Sequence, residues 1–64
     1  MKVNGKTTVL IDAKTLEDFL KDNNYNLSRI AVERNGEIIP KGNFDRVILS
    51  DADCLEIVSF VGGG

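Results

Sequence analysis

Three places in this 64-residue chain carry groups that could do chemistry. They are the closing "FVGGG" (Phe60 to Gly64), the single Cys54, and the acidic pair Asp51 and Asp53. Glycine has no Cβ and loses the most backbone freedom on ordering, so a packed strand end has no use for three in succession. Either that tail is idle, or its slimness and the terminal carboxylate of Gly64 are what matter. Cys54 offers a thiol that could carry a persulfide. Asp51, Asp53 and Glu56 lie near it in sequence, and their negative charge is expected to suppress its reactivity. Cys54 therefore reads as an incidental strand residue. Asp51 and Asp53 have no further ligand nearby, make a poor calcium loop, and suit a turn into a strand. The chain has no histidine and no second cysteine, which removes the usual zinc sets, an internal disulfide and most acid–base or triad chemistry. No catalytic residue and no metal site are expected, and the chain reads as a substrate or partner rather than an enzyme.

The rest of the composition narrows the setting. With 42% hydrophobic and 28% charged residues the chain is that of an ordinary folded domain. At this length only about 60% of the unfolded surface is buried, so stability is expected to be marginal and to rest on the core alone. A net charge of −2 and scattered basic residues argue against nucleic acid or an anionic membrane as partner. No apolar run is long enough to span a bilayer, and "MKVNGKTTV" lacks the apolar core of a signal peptide. A cytoplasmic monomer is expected.

Chemistry at the chain's end needs elements that position it. "MKV" and "KTTVLI" are rich in strand formers and flank Asn4-Gly5, which predicts a hairpin closed by a type I′ turn. Thr15 can cap a short helix, with Asp18 three residues on. Leu16, Phe19 and Leu20 follow the i, i+3, i+4 spacing of a buried stripe, and Glu17 and Lys21 lie one turn apart outside. "DNNYN" (Asp22 to Asn26) ends that helix. "RIAVERNGEIIP" predicts a second hairpin about Asn35-Gly36, its second arm a short edge stopped by Pro40. "KGNF" is an irregular link with Phe44 tucked under the sheet, "RVIL" a short strand, "SDAD" a turn, and Cys54 to Val61 the last strand. A helix between two hairpins, with the final strand beside the first in mid-sheet, is an α+β arrangement of the β-grasp (ubiquitin-like) type. It comprises a mixed four- to five-stranded sheet, one main helix on one face and a flexible C-terminal glycine tail. Residues 1–61 form the domain and 62–64 the tail.

"VNG" near the start, "TLEDFL" on the helix, "VERNGEIIPK" across the second hairpin, "DADCLEIV" into the last strand and "FVGGG" at the end resemble the thiamine-biosynthesis sulfur carrier proteins, the ThiS family, in order, spacing and overall length. Two departures stand out. The family often has glycine where Ala52 separates Asp51 from Asp53, which bears on the turn type. Three glycines stand where two would suffice, so Gly62 reads as extra reach. The resemblance implies that an E1-like adenylating enzyme uses ATP to convert the Gly64 carboxylate to an acyl-adenylate. Sulfur derived from cysteine through a persulfide donor then leaves a C-terminal thiocarboxylate, which supplies thiazole synthase. The chain itself would bind no cofactor, ATP being consumed by the partner. The physical logic is consistent. An ionised carboxylate repels nucleophiles and needs activation, and its mixed anhydride must be kept from water. Gly62 and Gly63 could thread a narrow partner channel that alanine at Gly63 would block.

Alternation in the last strand turns Leu55, Ile57 and Val61 toward the helix and Glu56, Val58 and Phe60 away from it. Val58 and Phe60 are apolar on a face with no second layer, and are expected to dock the partners beside the tail. Two other readings remain open from sequence. One is the small sulfur-carrier subunit of molybdenum-cofactor (molybdopterin) synthesis. The other is a ubiquitin-like interaction module without carrier chemistry, which would tolerate an added C-terminal residue.

Overall fold

The computed structural model describes residues 1–10 and 12–60. Strands β1 (Lys2–Val3) and β2 (Lys6–Thr7) form the first hairpin. Helix α1 (Leu16–Asp22) follows, then a 3₁₀ turn at Leu27–Arg29. Strands β3 (Ile30–Arg34) and β4 (Glu37–Ile39) make the second hairpin. A 3₁₀ turn at Lys41–Asn43 and a loop lead to β5 (Cys54–Ser59). The sheet order is β2-β1-β5-β3-β4. β5 lies at its centre, parallel to β1 and antiparallel to β3, which is the mixed sheet and strand placement expected.

Both Asn-Gly pairs adopt the geometry read from them. Asn4 and Gly5 have φ of 52° and 81°, Asn35 and Gly36 of 53° and 87°, the two positive values a type I′ turn requires. The helix start is also as expected, with Thr15 Oγ1 accepting from the Asp18 N–H at 3.1 Å. The two remaining first-turn donors find loop carbonyls: Leu16 N–H bonds Val47 O at 2.8 Å and Glu17 N–H bonds Phe44 O at 2.9 Å. Glu17 and Lys21 pair at 3.1 Å. Asn24, at φ 62°, turns the chain away after the helix.

Leu16, Phe19 and Leu20 pack on Ile30, Val32, Leu55 and Ile57 of the sheet, and Met1, Phe44 and Leu49 close the same core. Fully burying one such side chain contributes about 1.5–3 kcal/mol. Phe44 fills the expected plug position.

Three expected strands are shorter than read. The last, expected from Cys54 to Val61, ends at Ser59 with Phe60 already outside it, because β3 begins at Ile30 opposite Ser59. β2 stops at Thr7, leaving Thr8, Val9 and Leu10 of "KTTVLI" outside it, because β1, its partner among the described residues, offers two residues before turning; Val9 is accordingly exposed. "RVIL" forms a single bridge, Thr15 to Ile48, since the chain opposite it becomes helix at Leu16 and cannot continue a ladder. Among the described residues, no helix is long and apolar enough to cross a membrane.

Candidate functional site: the last strand

β5 runs through the centre of the sheet and its two halves are held differently. At its start, Asp53 is almost fully buried. Its carboxylate accepts from Arg34 Nε at 3.0 Å, from Asn35 Nδ2 at 3.0 Å and from the Ser50 N–H at 2.9 Å. Burial pushes this carboxyl up, but the hydrogen bonds from Asn35, Ser50 and Arg34 together outweigh it, and the group sits below the usual carboxylate range. Sequence reading took Asp53 as a turn former; it is also the knot joining the second hairpin to the last strand.

The turn asparagines grip β5 from both sides. Asn35 donates its own N–H to the Cys54 carbonyl at 2.8 Å and accepts the Cys54 N–H at 2.9 Å. Asn4 accepts the Ile57 N–H at 2.7 Å and donates Nδ2 to the Ile57 carbonyl at 3.1 Å. The side chain thus continues the β1 ladder one step beyond the point where β1 turns away. Asn4-Gly5 was expected to do no more than turn the chain.

Leu55 and Ile57 face the core, while Cys54, Glu56 and Val58 face outward, as alternation required. Val58 is 61% exposed and Phe60 46%. Val58 lies opposite Ala31, and Ile38, 74% exposed, lies opposite Glu33. Facing residues of paired strands share a side of the sheet, so Ala31, Glu33, Ile38, Glu56 and Val58 lie on one uncovered face, with Val58 beside Ala31 and Ile38 two strands from β5 across Glu33. Ile38 was not singled out from sequence. The available signal was the Ile38-Ile39 pair itself, because neighbours in a strand face opposite sides and only one can enter the core. Phe60 is partly covered by Lys41, whose Nζ lies 5.5 Å from the ring centroid.

The tail positions Gly62, Gly63 and Gly64, together with Val61, lie outside the described residues. Among the described residues no group of three or more His, Cys, Asp or Glu side chains is placed to hold a metal ion.

A family model described as the ThiS family matches residues 1–64. The sulfur carrier protein ThiS of Bacillus subtilis (strain 168) is 42% identical over 65 residues, spanning 100% of this chain and 98% of that protein. A thiazole synthase of Paramagnetospirillum magneticum is 40% identical over 62 residues, 97% of this chain but only 19% of that longer protein. A thiazole synthase of Magnetococcus marinus gives the same coverage at 34% identity. Among solved structures, the crystal structure of the thiamine biosynthesis protein ThiS from Geobacter metallireducens superposes with a TM-score of 0.82 at 29% identity, covering 98% of this chain and 96% of that one.

Proposed function

The chain belongs to the ThiS family, and on that footing we propose that it is a sulfur carrier of thiamine biosynthesis, whose reactive group is the carboxylate of Gly64. The observation that carries this reading is the full-length likeness to a sulfur carrier protein on a matching β-grasp frame.

In this reading the chain is a co-substrate and not a catalyst. An E1-like partner transfers AMP from ATP to the Gly64 carboxylate, releasing pyrophosphate. A persulfide donor's terminal sulfur attacks the acyl carbon and AMP leaves. Reductive cleavage of the resulting acyl disulfide by a thiol frees the thiocarboxylate. Gly62 and Gly63 thread the partner's channel, since without Cβ atoms their backbone presents only N–H and C=O groups to its walls. Thiazole synthase is the acceptor. Support comes from the two relatives named thiazole synthase, where a stretch like this chain shares one polypeptide with the remainder, an arrangement that raises effective concentration. Val58 and Phe60, with Ile38 on the same face of the sheet as Val58, provide the surface on which these partners dock.

The test is an intact mass spectrum after incubation with ATP, a persulfide donor and an adenylating enzyme of this class. Exchange of one oxygen for sulfur is expected, abolished when a residue is appended after Gly64 and reduced at least about a hundredfold in rate by Gly63→Ala. An unchanged mass with an enzyme proven active on another carrier would refute the reading.

A further inference from the structure

Phe60 is the last described residue and the junction between the sheet and residues 61–64. Whatever holds it sets the point from which the carboxylate-bearing segment starts. β5 itself stops at Ser59, and two contacts secure the next residue. The Phe60 N–H donates to the Arg29 carbonyl at 2.9 Å. Lys41 Nζ stands 5.5 Å from the Phe60 ring centroid, within the range where the ring's quadrupole attracts a cation.

That ammonium is itself tethered, donating to the Ser28 carbonyl at 2.9 Å. Ser28 and Arg29 belong to one 3₁₀ turn, Leu27–Arg29, so both contacts converge on a single anchor. The anchor is closed from its other end by Asn26, whose Oδ1 accepts from the Ser28 N–H at 3.1 Å and from the Ser28 hydroxyl at 2.7 Å. Lys41 is in turn placed by its own 3₁₀ turn, which ends at the buried Phe44.

We propose that Lys41 is a positioning residue for the tail: tied to Ser28, it clamps the Phe60 ring against the Leu27–Arg29 turn and fixes where residues 61–64 begin. Its bearing on delivery rests on the sulfur-carrier reading above. A fixed root presents the tail to a partner channel with less ordering left to do on binding. Loss of the clamp should therefore weaken capture without altering the chemistry that follows.

Amide exchange on the ¹⁵N-labelled full chain, followed by NMR, reads the clamp directly. Lys41 is exposed, so Lys41→Met is expected to fold normally and leave Val32 exchange unchanged. Phe60 exchange should speed about two- to fivefold, the range of an exposed cation–π contact. Lys41→Arg should restore it, and adding Lys41→Met to Phe60→Leu should change nothing further at position 60. With the adenylating enzyme, the KM for the Lys41→Met chain should rise, by no more than that factor, at unchanged kcat, and fall back with arginine. Unmoved Phe60 exchange, or failure of arginine to restore it, overturns the clamp. Faster exchange with an unchanged KM overturns its part in delivery. A wild-type chain that is never adenylated refutes the carrier reading, while the exchange data still judge the clamp.

Discussion

The two ends of β5 are built on opposite plans. At the start, Asp53 has three donors, Cys54 is bonded through both N–H and C=O to Asn35, and Leu55 is sealed in the core. At the end, Val58 is 61% and Phe60 46% exposed, and beyond the ladder Phe60 is held by one backbone bond and one lysine. Satisfied buried polar groups and core packing hold the start in place. The end keeps apolar side chains uncovered, as the docking surface proposed above requires. On that reading stability and recognition are divided along one strand.

The largest expected effect strikes the packed half. Leu55→Ala removes a side chain that is 1% exposed and should cost about 2–5 kcal/mol, a large part of what a chain this small can have; thermal or urea unfolding measures it. A melting curve close to wild type would erase the contrast.

Next comes Asp53→Ala, which strands Arg34, Asn35 and the Ser50 N–H and should cost about 1–3 kcal/mol at neutral pH. The pH dependence has a definite sign. Because the folded carboxyl sits below its ordinary value, its contribution is fully present above the unfolded pKa of about 3.9 and fades as pH falls through the folded value. The difference between wild type and variant should therefore shrink on the acid side, as urea titrations across that range would show.

The smallest effect on stability belongs to the open half. Val58→Ser should move unfolding by no more than about 0.5 kcal/mol, yet weaken binding of the adenylating enzyme or thiazole synthase at least about fivefold, the loss of roughly 1 kcal/mol. Calorimetric titration of the folded variant checks both. Unchanged affinity for both partners would remove the docking role and leave Val58 a mere strand residue.

Much of the frame was legible in the residues themselves. Asn4-Gly5 and Asn35-Gly36 announced their turns, Thr15 its cap, and Leu16, Phe19 and Leu20 the buried stripe. The alternation of Leu55 to Val58 announced the inner and outer faces of the last strand. Each of these depends on neighbours no more than four positions away, or on a strict period of two, so local sterics and spacing determine it without reference to the rest of the chain.

Tertiary structure alone decided the remainder. β2 ended early because β1 had no more length to pair with, and "RVIL" was cut to one bridge because its partner became helix. Asp53 found Arg34 and Asn35, Asn4 reached Ile57, and Lys41 came to rest over Phe60, pairings between residues far apart in the chain. A strand's length depends on what lies beside it, and a buried charge depends on which donors the fold brings within 3 Å. Those distances exist only once the helix has closed the core, which is why the residues that could react were visible in the sequence and the residues that hold them in position were not.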